Sequence, residues 1–145
     1  ANGSQKQLVS LYQFGQILGR AFQIRDDLLD LTSDFSGLKK QTGNDIYEGK
    51  RTIMLAHLLR SAKGRDRQKL LKILGKKREE KNQEEVAWVI KAMEKYGSLA
   101  YGEKLAQKLA REAGEFFERN LGFLAKEPAR SQIGAGIDFI VERKY

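Results

Sequence analysis

Apolar residues recur at three- and four-residue steps along most of this sequence, and only one of its 145 residues, Pro128, is a proline. Steps of this size place apolar side chains on one face of an α-helix, whereas half-buried strands need strict alternation, of which the sequence has no convincing example. The first periodic segment predicts a helix over residues 5–31. Its apolar positions are Leu8, Leu11, Tyr12, Ile17, Leu18, Phe22, Leu28 and Leu29. The pattern as a whole predicts an all-α protein folded as a helical bundle.

Turn-forming residues divide the rest of the chain into further helices. Residues 33–44 contain several such residues and predict a loop. A helix is expected from about residue 45 through residue 59, with its end at Gly64, and a short helix follows from Gly64 to Gly75. Three more are expected: from residue 82 or 83 to Gly97, from an N-cap at Ser98 to about residue 120, and from Pro128 to about residue 143. Six helices joined by short loops, without an internal repeat, predict a single domain over residues 1–145.

The chain is strongly basic, with 27 lysines and arginines against 19 acidic residues and a formal net charge of +8. A basic run over residues 60–81 could meet nucleic acid or an anionic membrane, but it contains no aromatic residue on which a base could stack. Its apolar stripe, with lysines and arginines on the other faces, favours a short solvated helix with flanking loops. We therefore expect no nucleic-acid partner.

Composition also bears on compartment and processing. The sequence has no cysteine, which excludes disulfides, thiolate metal sites and cysteine nucleophiles. No apolar run approaches the roughly 18 residues that a membrane span needs, and the N-terminus does not resemble a signal peptide. We expect a soluble, cytoplasmic protein. Because the sequence lacks an initiator methionine, we also expect a cut or processed start.

The segment FQIRDDLLDLTSD, residues 22–34, carries the clearest chemical signal. Asp26 and Asp30 are one helical turn apart, and Gln23 precedes Asp26 and Asp27 by three and four residues, so its amide points the same way. Carboxylates this close repel one another, and the negative dipole at the C-terminal end of a helix adds to the repulsion. Oxygen ligands with no histidine or cysteine nearby favour Mg²⁺ as the compensating cation. The alternative is a solvated acidic helix end that pairs with nearby arginines.

A second polar cluster follows the acidic segment. Lys39 and Lys40 lie on the predicted loop, and Gly43 and Asp45 precede the motif EGKRT at residues 48–52. Lysines on a glycine-containing loop beside carboxylates that hold Mg²⁺ could bind a diphosphate, because the metal bridges phosphate oxygens and the ammonium groups pair with the remaining ones. Taken alone, the loop is equally compatible with a polar, partly basic surface.

The joint pattern of residues 22–52 resembles that of the trans-prenyltransferase (polyprenyl synthetase) family, which includes the farnesyl and geranylgeranyl diphosphate synthases. The matching elements are FQxxDDxxD, Lys40, Gly43, Asp45 and Gly49-Lys50-x-Thr52, in the family's order and spacing. YGSLAY at residues 96–101 and DFIVER at residues 138–143 resemble the start of the family's penultimate long helix and its closing helix. The resemblance thus covers nearly the whole chain.

This resemblance implies the C-terminal half of an isoprenoid-synthase-type fold. The family condenses an allylic diphosphate with isopentenyl diphosphate, and two aspartate-rich motifs on facing helices hold the Mg²⁺ ions. Asp26, Asp27 and Asp30 occupy the second of these motifs and are the implied metal ligands and catalytic residues. Asp26 is the best candidate for direct coordination.

The resemblance also implies which residues bind the allylic diphosphate. Lys40 and Lys50 fall where family lysines contact it, and both are implied catalytic residues. Gln23 matches a glutamine that lines the same cavity, and Asp45 matches an aspartate that supports the loop. Lys39 replaces the glycine usually found before Lys40, so either lysine could reach the phosphate.

Other parts of the family pattern are missing: a first aspartate-rich motif, the basic cluster for isopentenyl diphosphate and an upstream Lys-Thr pair. We therefore expect the chain to be inactive alone and to need the N-terminal half of the enzyme or a partner chain. Half of a bundle exposes apolar faces, which predicts that the chain dimerises, exchanges helices with a second copy or binds a partner chain, and we expect a homodimer. The alternatives are a non-catalytic prenyltransferase-like subunit that acts in association, and a basic helical binding module.

Outside these motifs the sequence shows no chemical signature. His57, the only histidine, lies in the apolar segment IMLAHLL and is predicted to be a packed or partly exposed helix residue. A metal site is not predicted there, because one histidine cannot form one. Ser61 and Ser98 are expected to lack a nearby base, and neither shows the sequence signature of a nucleophile.

Overall fold

The computed structural model describes residues 3–32, 42–124 and 126–142, and within them the chain forms seven α-helices and no strand, as the all-α prediction requires. The helices are α1 (Gln5–Thr32), α2 (Asn44–Glu48), α3 (Ile53–Ser61), α4 (Gly64–Leu74), α5 (Gln83–Lys95), α6 (Ser98–Asn120) and α7 (Ala129–Glu142). A 3₁₀ turn, Arg78–Glu80, lies between α4 and α5. None of these described helices is both long and apolar enough to cross a lipid bilayer.

The prediction of one continuous helix over residues 45–59 is wrong, because the chain turns between α2 and α3. Gly49 caps the C-terminal end of α2 with a φ of 72°, a left-handed conformation that favours glycine. Thr52 then caps the start of α3, where its side chain accepts a hydrogen bond of 3.2 Å from the Leu55 backbone N–H. This break places Lys50, one of the two residues between the caps, on a tight connection rather than inside a helix.

The other predicted helices lie close to their expected positions. α1 ends one residue beyond the prediction, α5 begins directly after its N-cap Asn82, and α7 begins directly after Pro128. α3 ends at Ser61, ahead of the expected stop at Gly64, and Ser98 is the first residue of α6 rather than a residue before it. Of the predicted loop over residues 33–44, residues 33–41 lie outside the described part of the chain.

The chain folds as two compact units, and α1 and α6 each contribute to both. The first unit joins α1 up to Arg25 with the chain from Lys104 onward. In its core the rings of Phe14 and Phe117 lie 5.6 Å apart, centroid to centroid. The other buried members of this cluster are Ala113, Leu121 and Ile137. Burial of each large apolar side chain stabilises such a core by about 1.5–3 kcal/mol.

The second unit, Asp26–Glu103, contains the end of α1, the helices α2 to α5 and the start of α6. Its fully or almost fully buried side chains include Ile46, Met54, Leu58, Leu70, Ile73, Val86, Val89 and Met93. At Gly102 a Cβ atom would lie 2.5 Å from the Met54 sulfur, so α6 approaches the Met54 side chain of α3 closely and a larger residue would require that side chain to shift. This unit contains the EGKRT motif and the described residues of the acidic segment from Asp26 onward.

Candidate functional site

Lys50 lies between two carboxylates from different helices. Its Nζ atom is 2.7 Å from Asp27 Oδ1, in the last turns of α1, and 2.9 Å from Asp45 Oδ2, in the first turn of α2. The side chains of Asp27 and Asp45 are 7% and 14% exposed, whereas that of Lys50 is 40% exposed. The hydrogen bond to Asp27 raises the pKa of the Lys50 ammonium above its ordinary range, partial burial opposes this, and the bond to Asp45 adds to the rise. Lys50 therefore stays charged at neutral pH while its outer side faces solvent.

Backbone hydrogen bonds hold Lys50 in place as well. Its N–H donates to the Asp45 carbonyl over 2.9 Å, and its own carbonyl accepts from the Thr52 N–H over 3.1 Å. The left-handed Gly49 before it and the helix cap at Thr52 after it constrain the same short connection. The position of the ammonium group is thus set by the fold rather than by its ion pairs alone.

Asp30 organises the turn that leads into α2. The residue is buried, with 4% of its surface exposed, and its side chain accepts a hydrogen bond from the Asp45 N–H over 2.9 Å. Its backbone carbonyl accepts a second from the Gly43 N–H over 2.7 Å. Asp30 therefore fixes the residue that in turn binds Lys50.

Asp26 differs from the other two aspartates of its motif. It lies on the exposed side of α1 and has no hydrogen-bond or ion-pair partner among the described residues. Within residues 3–32, 42–124 and 126–142, no group of three or more Asp, Glu or His side chains is arranged to hold a metal ion. Since Mg²⁺ needs only one or two protein carboxylates and keeps several waters, an exposed Asp26 beside the Lys50 cluster still suits this cation by the chemistry of its oxygens.

Two further residues, Lys40 and Gln23, are implied by the family resemblance to belong to this site. Lys40, together with its alternative Lys39, lies outside the described residues. Gln23 is exposed on α1 and falls in the first compact unit. The roles implied for both residues therefore stay predictions.

The last residues of the basic run over residues 60–81, predicted to be a short solvated helix with flanking loops, contact the helix α2, which carries Asp45. Lys81 is only 7% exposed, and its Nζ donates to the Tyr47 carbonyl over 2.9 Å, near the C-terminal end of α2. Arg78 donates to Glu48 over 3.1 Å and to Asn44 over 2.9 Å, at the two ends of the same helix. These contacts hold α2 at both of its ends. They span about thirty residues of sequence, so no local periodicity could have indicated them.

The expectation that Ser98 has no base near it is wrong. Its hydroxyl is fully buried and lies 3.0 Å from His57 Nδ1, 41 positions away in the chain. The His57 ring also stacks on Tyr101, with centroids 4.5 Å apart, and it is half-buried as predicted. Because the two residues lie on helices that are distant in the sequence, the helical spacing around either residue could not have predicted this contact.

Comparison with known proteins identifies relatives along the whole chain. A sequence-family model described as polyprenyl synthetase matches residues 1–93. A short chain isoprenyl diphosphate synthase from Methanothermobacter thermautotrophicus is 37% identical over 143 residues, which are 99% of this chain and 42% of that protein. A geranylfarnesyl diphosphate synthase from Natronomonas pharaonis is 33% identical over 144 residues, which are 99% of this chain and 39% of that protein.

Solved structures agree with these relatives in fold. A geranylgeranyl pyrophosphate synthetase from Pyrococcus horikoshii matches with a TM-score of 0.78 and 35% identity, over 97% of this chain and 41% of that one. A geranylgeranyl pyrophosphate synthase from Corynebacterium glutamicum, complexed with isoprenyl diphosphate and magnesium, matches with a TM-score of 0.81 and 26% identity, over 98% of this chain and 39% of that one. The predicted fold, part of an isoprenoid-synthase-type bundle, is confirmed. The chain spans about two fifths of the length of the relatives it matches.

Proposed function

This chain belongs to the polyprenyl synthetase family, and we propose that it is the C-terminal part of a Mg²⁺-dependent prenyl diphosphate synthase. In this proposal the whole enzyme condenses an allylic diphosphate with isopentenyl diphosphate in isoprenoid biosynthesis. The segment described here binds Mg²⁺ and the diphosphate of the allylic substrate. The likeness to a Corynebacterium glutamicum enzyme complexed with isoprenyl diphosphate and magnesium supports this choice of ligands.

The observation that carries the proposal is the Lys50 ammonium held between Asp27 and Asp45. An ammonium group has three N–H donors, and these two carboxylates take two of them. No third acceptor occupies Lys50 in the described part of the chain, and the side chain is 40% exposed. The remaining N–H is therefore available to a phosphate oxygen that approaches from solvent.

Each aspartate of the motif has a separate task in this site. Asp26, exposed and without a partner among the described residues, would hold Mg²⁺ directly. Asp27 positions Lys50, and Asp30 positions Asp45, the second residue that binds Lys50. When bound, the metal supplies positive charge to the phosphate oxygens of the substrate.

The chemistry that this arrangement supports is the departure of a diphosphate leaving group. Negative charge collects on the diphosphate as its bond to the allylic carbon breaks. A Lys50 ammonium that is already in position stabilises that charge without any reorganisation. Loss of a single preorganised donor of this kind costs about 2.7–4 kcal/mol of barrier in well-studied sites.

We further propose that the chain acts only with the remainder of the enzyme, as an N-terminal half or a partner chain, and as a homodimer when complete. Large apolar side chains on the first half of α1 support this, since Tyr12 is 69% exposed and Leu8 50%. Exposed apolar surface of this kind is typical of a protein-binding face. The same face would suit the alternative, a non-catalytic subunit that acts in association, in which case the Lys50 site would bind no diphosphate.

Calorimetric titration with inorganic diphosphate tests the proposal directly. We expect saturable binding to the chain in the presence of Mg²⁺ and much weaker binding without it. Lys50→Met should weaken binding, whereas Lys91→Met, which removes an exposed lysine of α5 that has no partner within the described residues, should not. Absence of binding to the unmodified chain, or equal binding to both variants, would contradict the proposed function.

A further inference from the structure

A cavity of about 460 Å³ lies in the second unit, away from the Lys50 cluster and sharing no residue with it. It is lined by Ile53, Ala56, His57, Arg60 and Ser61 of α3 and by Tyr101 of α6. The first four follow the i, i+3, i+4, i+7 spacing of a single helix face. A volume of this size falls within the range of small-molecule sites.

His57 is held in one orientation on the wall of this cavity. Its Nδ1 atom is 3.0 Å from the hydroxyl of Ser98, which is fully buried, and its ring stacks on Tyr101 at 4.5 Å with an interplanar angle of 22°. Its other ring nitrogen, Nε2, has no hydrogen-bond partner in the described part of the chain. A buried partner on one ring nitrogen leaves the second available to a ligand in a fixed direction.

Three further polar groups line the same cavity without partners of their own. The Arg60 guanidinium forms no ion pair or hydrogen bond with any described residue, and neither do the hydroxyls of Ser61 and Tyr101. None of the six lining residues is acidic. The cavity therefore combines one permanent positive charge with several unused donors, and it lacks a carboxylate that would neutralise them.

We propose that this cavity is a second, Mg²⁺-independent binding site, and that its ligand is a small phosphomonoester. Arginine, imidazole and two hydroxyls offer more donors than a planar carboxylate can accept, and they match the three terminal oxygens of a tetrahedral phosphate group. Ile53, Ala56 and the Tyr101 ring provide apolar surface for the body of such a molecule. The 23-residue helix α6 begins at Ser98, the partner of His57, and the positive dipole at this end of the helix favours an anion.

The single histidine of the chain makes this proposal testable without ambiguity, because all imidazole NMR signals belong to His57. Titration of the chain at constant pH, without Mg²⁺, with inorganic phosphate and then with glycerol 3-phosphate should shift the His57 signals saturably. Arg60→Gln should weaken this binding at least roughly tenfold, the effect of losing about one charge-assisted hydrogen bond. Arg65→Gln, which removes an equally exposed arginine in α4 that has no partner among the described residues, should leave it unchanged.

Four outcomes would overturn the proposal. One is the absence of a saturable His57 shift with either phosphate compound, and another is an equal response in the two arginine variants. The third is an equal affinity for acetate, since the site would then not distinguish a tetrahedral phosphate from a carboxylate. Binding of the chain to phosphatidic acid vesicles without any response to glycerol 3-phosphate would also contradict it, because the ligand would then be a lipid headgroup. Lys50→Met should leave the His57 shifts intact, which separates this site from the diphosphate site.

Discussion

Lys50 and Asp27, 23 positions apart in the sequence, form an ion pair of 2.7 Å that joins the end of α1 to the connection between α2 and α3. The aspartate is nearly buried and the lysine is partly exposed, so the pair has one side in the protein and one side in solvent. Asp45 also contacts the lysine at 2.9 Å, so two carboxylates fix the position of the ammonium group and leave one of its N–H donors on the exposed side. This geometry fits an ammonium group that is positioned to bind a further anion.

Substitution of Lys50 should therefore affect binding more than stability. Lys50→Met is expected to raise the Kd for Mg²⁺-diphosphate roughly 10- to 150-fold, the equivalent of about 1.5–3 kcal/mol for a charge-assisted hydrogen bond. The free energy of unfolding should fall by only about 1 kcal/mol, because solvent screens a pair whose lysine is 40% exposed. Calorimetry and urea denaturation measure the two effects separately. A large loss of stability with unchanged binding would contradict this role.

Lys81 should matter for the same site although it lies outside it. Lys81→Met leaves the Tyr47 carbonyl without its buried donor, at a cost of about 1–3 kcal/mol, and should loosen α2 and weaken diphosphate binding. Lys76→Met provides the matched control, since Lys76 lies in the same basic run but pairs with Glu85 of α5 at 2.6 Å. Amide hydrogen exchange should show faster exchange in α2 for the first variant only. Equal exchange rates in α2 for the two variants would show that Lys81 does not hold this helix.

Gly43 and Gly49 cap the two ends of α2, and alanine substitutions at these positions can be compared directly. Both have positive φ values, 76° and 72°, but a Cβ atom at Gly43 would lie 2.6 Å from Val86 Cγ1, whereas one at Gly49 would meet nothing within 4 Å. Gly49→Ala should cost about 1–2 kcal/mol for the left-handed backbone alone. Gly43→Ala should cost more, because Val86 must also move. Urea midpoints for both variants test this, and equal losses would show that the packing against Val86 adjusts freely.

Stability at acid pH should depend on Asp66. Hydrogen bonds from Lys95 at 2.8 Å and Tyr96 at 2.9 Å lower the pKa of this carboxyl below its ordinary value of 3.8. A lowered folded-state pKa stabilises the protein above the unfolded pKa, and that contribution is lost as the pH falls through the folded value. The stability difference between the unmodified chain and Asp66→Asn should thus be constant above about pH 5 and shrink below about pH 4. A difference that does not change between pH 3 and pH 6 would rule this out.

The helices themselves could be predicted because their signals are local. The apolar spacing of α1 and the capping residue Asn82 before α5 specify those elements within a residue or two. The break after Glu48 was missed because Lys50 and Arg51 are ordinary helix formers, and only the conformation of Gly49 shows that the helix stops. A glycine within periodic sequence does not by itself distinguish a cap from a tolerated helix residue.

The sequence indicates the residue types of the candidate site but not the contacts that each of them makes. Spacing places Asp26, Asp27 and Asp30 near one another, yet it cannot show that Asp26 remains exposed while Asp30 is buried. The buried Asp30 accepts hydrogen bonds from the N–H groups of Gly43 and Asp45, and contacts between residues this distant in sequence have no helical spacing that could indicate them. The positions of Lys81 and of Ser98 beside His57 depend on tertiary packing in the same way.

The most direct test of the central claim is a crystal structure of the chain with diphosphate and with Mn²⁺ in place of Mg²⁺, since the anomalous signal of manganese locates the metal independently. We expect a metal peak within about 2.5 Å of an Asp26 carboxylate oxygen and a diphosphate oxygen about 2.8 Å from Lys50 Nζ. Asp27 and Asp45 should keep their contacts with Lys50. Metal and diphosphate bound elsewhere, with Asp26 and Lys50 unoccupied, would contradict the account.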